Sequence, residues 1–279
     1  MQNLASYIKQ ELSGYYSPDE IRIFTRWICE NELGYSFSDI LAYKINNLSC
    51  SGTLKIEEII SRLKNYEPIQ YILRKTEFYG LPFFVNNSVL IPRPETEELV
   101  EWIIKENGER PIDILDIGTG SGCIAVSLAK NLPSVNVFAW DISAEALMVA
   151  KKNAELNEVD VKFENLDILK TVNCSKKFDI IVSNPPYVTD SEKKEMEKNV
   201  LAYEPHLALF VPDDNPLMFY DRISDFALQN LFPGGKVYFE INRAKSDVVA
   251  QLLKKKGFAE VEVRKDISGN ERMISAQIS

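Results

Sequence analysis

Four consecutive residues, Asn184-Pro185-Pro186-Tyr187, carry the most legible chemistry in this chain. They follow the apolar run Phe178-Asp179-Ile180-Ile181-Val182 and one serine, Ser183. Two prolines in a row cannot donate to a sheet ladder, so a strand over 178–183 must end there and leave the sheet as a rigid turn. That turn offers one carboxamide, one aromatic ring and backbone carbonyls. Such groups suit a planar NH2: two hydrogens need two acceptor oxygens, and the flat face can lie against a ring. The expected substrate group is an amide or an exocyclic amine.

A second constellation lies upstream. Ile112-Asp113-Ile114-Leu115-Asp116 reads as a buried strand, followed by Ile117-Gly118-Thr119-Gly120-Ser121-Gly122 and an apolar helix from Cys123. Glycine at every second position lets the backbone pass close to a ligand. The dinucleotide fingerprint would place its third glycine at 123, which is cysteine here. The spacing therefore argues against NAD or FAD and favours a nucleotide-like ligand without a pyrophosphate, such as S-adenosylmethionine. Asp116, at the strand end, either fixes the turn or meets an ammonium group of the ligand. Asp141 ends the next strand about 20 residues on, where an acid meets ribose hydroxyls in nucleotide-binding sheets. Asp167 is expected to end the third strand, placed for an adenine amino group, with Ile168 against the base. Taken singly, each has a plainer reading: a tight turn, a helix cap shared with Ser143 and Glu145, a solvated aspartate. The complete order of strand, G-x-G-x-G, helix, strand-Asp, strand-Asp and strand-Asn-Pro-Pro-Tyr is far more specific and points to a methyltransferase.

The elements that must position these residues alternate. Strands are expected over 112–116, 135–140, 160–164, 178–183, 236–241, 260–264 and 272–278. Helical patterns fill the gaps, as at Ala144 to Leu156 and Ala244 to Lys255. Alternation of this kind predicts a mostly parallel, doubly wound sheet. Residues 1–75 read instead as helices. Leu4, Tyr7, Ile8 and Leu12 fall at helical spacing, and Ser17-Pro18-Asp19-Glu20 is a helix start with a capping box. Ile21, Ile23, Phe24, Trp27 and Ile28 follow, with Gly34 as a stop. Leu54, Ile56, Ile59, Ile60 and Leu63 form a further apolar face. No glycine-rich loop or polar cluster interrupts this part, which is expected to be a substrate-docking domain. Between the two, residues 76–92 read as a linking β-hairpin turning at Asn86-Asn87. Pro92-Arg93-Pro94-Glu95-Thr96 then opens a helix carrying Leu99, Val100, Trp102 and Ile103, at the start of a domain spanning 93–279.

Bulk properties narrow the class of protein. The 279 residues are 45% hydrophobic, enough for sizeable cores, and no apolar run reaches the length of a membrane span. Met1-Gln2-Asn3-Leu4-Ala5 lacks the basic-then-apolar pattern of a signal peptide. Cys29, Cys50, Cys123 and Cys174 are scattered, and there is one histidine, His206. Neither a disulfide framework nor a metal site is expected, and a reducing cytoplasm is the natural compartment. A net charge of −9 disfavours a grip on long nucleic acid by its phosphates and suits a protein partner with a basic surface.

The glycine turn paired with Asn184-Pro185-Pro186-Tyr187 resembles class I S-adenosylmethionine-dependent methyltransferases that modify planar nitrogens. Further segments narrow the likeness: Glu67-Pro68-Ile69-Gln70-Tyr71-Ile72, Glu77-Phe78-Tyr79-Gly80-Leu81-Pro82-Phe83, Leu90-Ile91-Pro92-Arg93-Pro94-Glu95-Thr96-Glu97 and Tyr203-Glu204-Pro205-His206-Leu207-Ala208-Leu209. From about residue 65 onward the chain resembles the HemK/PrmC family, which methylates N5 of the glutamine in the Gly-Gly-Gln tripeptide of peptide chain release factors. The resemblance implies an α/β, Rossmann-like fold with a mostly parallel seven-stranded sheet and a small N-terminal helical domain. It implies that Gly118, Thr119, Gly120, Ser121, Gly122, Asp141, Asp167 and Ile168 line the cofactor. Asn184 faces both cofactor and substrate, and Asn184, Pro185, Pro186 and Tyr187 hold the glutamine amide. Arg93 to Thr96 close over the methionine end. Glu204 and His206 receive no catalytic role, since a methylated amide nitrogen becomes acidic without a dedicated base. Relatives often carry an aromatic residue where Ile168 stands, and commonly glycine at 242 and glutamine at 245, which are Asn242 and Lys245 here. A competing reading keeps the same amine clamp but assigns it to an N6-adenine or N2-guanine methyltransferase acting on RNA or DNA.

Overall fold

A computed structural model describes residues 4–35, 50–108 and 110–279. Met1-Gln2-Asn3, read above for a leader, lie outside the described residues, as does the side chain of Cys50. The chain forms two compact units, the first taking in Met1–Lys75 and Glu197–Tyr203, the second Thr76–Met196 and Glu204–Ser279.

The first unit is helical: α1 (Leu4–Leu12), α2 (Pro18–Glu32), α3 (Cys50–Lys64) and α4 (Ile69–Leu73). Helix α2 starts where the capping box requires, with Ser17 Oγ accepting from the Glu20 N–H and the Glu20 carboxylate accepting from the Ser17 N–H. Its core is aliphatic, built from Leu4, Ile8, Leu12, Ile21, Ile28, Ile56, Ile60 and Leu63. Ile23 and Leu54, expected on the buried faces, are exposed. The segment 197–203 returns to this unit from far along the sequence, and the Tyr203 hydroxyl donates to the Asn65 carbonyl at 2.9 Å.

The second unit opens with a hairpin, β1 (Thr76–Phe78) and β2 (Leu81–Phe83). Its turn is Tyr79-Gly80, with φ of 50° and 71°, and not Asn86-Asn87 as expected. Two consecutive positive φ values give the primed turn whose twist matches the strands. Asn86 instead makes a local bend, its side chain accepting from the Ser88 N–H and its carbonyl from the Val89 N–H.

Helix α5 (Pro94–Asn107) leads into the sheet strands β3 (Ile112–Ile117), β4 (Val135–Asp141), β5 (Val161–Asn165) and β6 (Phe178–Ser183), with α6 (Cys123–Asn131) and α7 (Ala144–Leu156) between them. Short strands β7 (Val188–Thr189) and β8 (Phe210–Val211) pair apart from the main sheet, and α8 (Lys198–Tyr203) lies between them in sequence. Then follow α9 (Met218–Asn230), β9 (Leu231–Glu240), α10 (Ser246–Lys256), β10 (Ala259–Lys265) and β11 (Glu271–Gln277). The seven-stranded sheet runs β10-β11-β9-β6-β3-β4-β5, parallel from β5 to β9, with β11 antiparallel to both neighbours. Strand β9 starts earlier than the apolar pattern suggests. Leu231 already pairs with Phe178, and the register then jumps to Lys236 opposite Ile180, so Phe232 to Gly235 form a bulge.

Both faces of the central strands β3, β6 and β9 are buried, which explains their nearly continuous apolar runs. Ile112, Ile114, Ile180, Val182 and Tyr238 enter one core with α5 and α6. Leu115, Ile117, Ile181, Val237 and Phe239 enter the other with α9 and α10. The strand order reverses at β3, so the C-terminal ends of β3, β4 and β6 open on one crevice. That switch point is where open α/β sheets bind ligands.

Candidate active site

A cavity of about 360 Å³ occupies that crevice. Of the residues expected in the site, Gly118, Thr119, Gly120, Ser121, Asp141, Asp167, Ile168, Asn184, Pro185 and Pro186 line it. Arg93 and Thr96 are on its wall as well. Gly122 and Tyr187 are not. Gly122 has φ +80° and abuts α7, where an added Cβ would lie 3.1 Å from the Ala150 Cβ, so its task is packing. Tyr187 packs against the second core beside the cavity, and its hydroxyl donates to Glu240 Oε1 at 3.2 Å.

The glycine turn is held from below and from the side. Asp116 is fully buried and accepts from the Thr119 hydroxyl at 2.6 Å. It does not line the cavity, so of its two expected roles the structure supports fixing the turn. Burial, reinforced by the neighbouring charge of Asp141, pushes its carboxyl up to about 7. An unfolded aspartate ionises near 3.8, so between about 4 and 7 the folded state keeps a proton that the unfolded state has lost. Stability must then fall as pH rises through that window. Asp116→Asn should flatten this decline, and melting curves at pH 5 and pH 8 will measure it; an unchanged slope would remove Asp116 as its source.

Asp141 ties the turn to β4. Its Oδ2 accepts from the Gly120 N–H at 2.8 Å and its Oδ1 from the Ser143 N–H at 2.9 Å. Ser143 in turn caps α7 through the Ala146 N–H. Burial raises the Asp141 carboxyl above the usual range, and these backbone N–H groups pull it back. The capping reading and the ligand reading are thus compatible, because each carboxylate oxygen has a further lone pair. Charge-assisted hydrogen bonds contribute about 1.5–3 kcal/mol each. Asp141→Ala should weaken cofactor binding about tenfold or more, measurable by calorimetry.

Asp167 lies two residues past β5 and accepts from the Leu169 N–H at 3.0 Å. Ile168 is buried against the second core. Arg93 pairs with the buried Glu204, which also accepts from the Ile91 N–H. Glu204 is thereby a structural partner. His206 is exposed and sets its ring edge-on to Phe210 at 5.2 Å.

The Asn184 carboxamide is not free to turn. Its Nδ2 donates to Thr96 Oγ1 at 3.3 Å, and the Thr96 hydroxyl donates to Glu240 Oε2 at 2.6 Å. Glu240 is 2% exposed, at the end of β9. Burial raises its carboxyl, while Thr96, the charge of Arg272 and Tyr187 oppose that rise. Neither Thr96 nor Glu240 was singled out for this role by sequence. The available signal was an acid closing the apolar run Val237-Tyr238-Phe239, at a strand end matching those of Asp141 and Asn184.

The sheet, the glycine turn and the strand-end acids define a class I S-adenosylmethionine-dependent methyltransferase. A family model described as Methyltransferase small domain matches residues 95–205. A Release factor glutamine methyltransferase of Flavobacterium psychrophilum is 50% identical over 278 residues, 98% of each chain, and one of Bacteroides thetaiotaomicron is 48% identical over 99% of each. The chain belongs to the release factor glutamine methyltransferase family. Solved structures agree on the fold. A methyltransferase from Pyrococcus furiosus superposes with a TM-score of 0.53 at 19% identity, over 82% of this chain and 98% of that one. The Thermus thermophilus 16S rRNA N2 G1207 methyltransferase, solved with AdoMet and guanosine, gives 0.52 at 18%, over 74% of this chain and 50% of that one.

The residues present fit S-adenosylmethionine. A Cβ built at Gly118 or Gly120 meets nothing within 4 Å, so the turn presents bare backbone to the cavity. Among the described residues no cluster of three His, Cys, Asp or Glu could hold a metal ion, and no helix is long and apolar enough to cross a membrane.

Proposed function

We propose that this protein methylates N5 of the glutamine in the Gly-Gly-Gln tripeptide of peptide chain release factors. The observation that carries the reading is the Asn184 carboxamide fixed on the wall of the glycine-turn cavity, in a chain of this family. When bound, S-adenosylmethionine supplies an electrophilic methyl group on a sulfonium. The residues assigned to hold it are Gly118 to Gly122, Asp141, Asp167 and Ile168.

An amide nitrogen is a poor nucleophile because its lone pair is delocalised into the carbonyl. Placement and exclusion of water are therefore the protein's main contributions. Asn184 Oδ1 accepts one N–H of the glutamine and the Pro185 carbonyl accepts the other. Both acceptors gain strength as the NH2 group becomes more positive, which favours the transition state over the ground state. Pro186 borders the flat amide, and Tyr187, packed beside the cavity, anchors the end of the motif. The helical first unit docks the release factor, and the reaction takes place in the cytoplasm.

The test is to incubate the protein with S-adenosylmethionine and an unmodified bacterial release factor, then map tryptic peptides by mass spectrometry. One methyl on the Gly-Gly-Gln glutamine is expected. No methyl there, from protein that binds the cofactor, would overturn the reading and direct attention to RNA and DNA amines.

A further inference from the structure

We propose that Thr96 and Glu240 are positioning residues that set which way the Asn184 carboxamide faces. The inference rests on the proposed function only for its kinetic consequence; the orientation itself follows from hydrogen-bond inventory.

A carboxamide has two nearly isosteric ends, an acceptor oxygen and a donor NH2. Only one orientation serves a substrate NH2, because the oxygen must face it. Packing cannot distinguish the two ends, so a polar neighbour has to. Thr96 is that neighbour, and by itself it is ambiguous, since a hydroxyl can donate or accept. The ambiguity is removed one step further back. Glu240 accepts at both oxygens, Oε1 from the Tyr187 hydroxyl and Oε2 from Thr96, and it takes the single Thr96 hydroxyl proton in a short bond of 2.6 Å. Thr96 Oγ1 is left with lone pairs, so it can meet Asn184 only by accepting from Nδ2. The oxygen of Asn184 is thereby turned to the other side.

The Glu240 carboxylate is fixed at both oxygens. Oε2 accepts from Thr96 and Oε1 from Tyr187, the last residue of Asn-Pro-Pro-Tyr. Arg272 on β11, itself paired with Asp266 at 3.6 Å, is the positive charge that draws the Glu240 carboxyl back down. One buried acid on β9 thus holds the first residue of the motif through Thr96 and the last directly. A buried charge is retained at a cost unless paired and hydrogen-bonded, and here every bond it makes is directed at the motif or its neighbour. Thr96 and Glu240 are each 2% exposed, so the two groups behind Asn184 have little contact with solvent, although Thr96 borders the cavity.

The test combines Thr96→Val, Thr96→Ser and Asn184→Ala. Misplacement of a reacting group by about 1 Å costs on the order of 100-fold in rate. Thr96→Val should lower kcat roughly 10- to 100-fold on a release factor, and Thr96→Ser should restore most of the loss. Combined with Asn184→Ala, Thr96→Val should cost nothing more, because it acts only through Asn184. A kcat near wild type for folded Thr96→Val, or losses that multiply in the double variant, would overturn the inference. Thr96→Ala, whose gap admits water, serves if the valine variant does not fold. A measurement on the unaltered protein needs no turnover. In 15N-edited spectra one of the two Asn184 side-chain N–H protons, assigned by its loss in Asn184→Ala, should exchange slowly with solvent. Fast exchange of both would overturn the orientation. Absence of wild-type turnover would instead sink the functional reading and leave the exchange measurement to decide this one.

Discussion

Asn184→Ala is expected to lose about 3 kcal/mol or more of transition-state stabilisation, roughly 100-fold or more in kcat, with a much smaller change in cofactor affinity. The size follows from when the contact is needed. In the ground state the substrate NH2 is a neutral donor, and the contact to Asn184 is an ordinary hydrogen bond. As the nitrogen gains the methyl group its hydrogens become more acidic, and an acceptor already fixed in place gains most at that moment. The Asn184 side chain costs no reorganisation, because Thr96 has oriented it beforehand. Steady-state kinetics on a release factor, with cofactor binding measured separately, divides the two effects. If kcat holds and only cofactor binding falls, Asn184 serves the cofactor alone and the amide clamp is wrong.

Gly122→Ala should be the most damaging single methyl in the glycine turn. Gly122 has φ +80°, a conformation that costs an L-residue about 1–2 kcal/mol. Its new Cβ would also stand 3.1 Å from the Ala150 Cβ and 3.3 Å from the Ala150 Cα, and overpacking of this kind costs about 1–3 kcal/mol. Helix α7 cannot yield easily, since its buried Asn153 bonds both to Ser121 and to the backbone of Phe84. A total near 3 kcal/mol corresponds to a fall of roughly 6–12 °C in the melting temperature of the second unit. Gly118→Ala is the internal comparison. It shares the positive φ but has open space around the new Cβ on the cavity wall, so it should melt higher than Gly122→Ala and bind cofactor worse. Equal melting temperatures for the two would show that backbone strain outweighs the contact with α7.

Much of the fold was legible because the central strands are buried on both faces. Ile112 to Ile117 and Phe178 to Ser183 announce themselves by composition, and the prolines and glycines that end them sit where ligands bind. The hairpin misled for a physical reason. Asn86-Asn87 has the composition of a primed turn, but the turn formed at Tyr79-Gly80, where an aromatic residue tolerates φ 50° because the following glycine completes the geometry. The strand expected over 236–241 is only the end of β9, which begins at Leu231 and is carried past Pro233-Gly234-Gly235 by a bulge. At the site, Asp141 and Asn184 were visible because each closes an apolar run beside a distinctive neighbour. Thr96 and Glu240 were not, since the bond that gives them meaning joins residues 144 apart and exists only once β9 lies beside β6.

Strand β10 has β11 as its sheet neighbour, and β11 is made after it. A chain emerging from the ribosome therefore holds β10 aside until β11 can slot between it and β9. Arg272, one of the groups that draw the Glu240 carboxyl back down, arrives on that same late strand. A chain that has reached β10 already contains the glycine turn, both strand-end acids and Asn184, but not Met273, which lies opposite Glu240 in the sheet. Glu240, and with it the aim of the amide clamp, is therefore seated only when β11 closes the ladder beside it, after every residue that lines the cavity has been made.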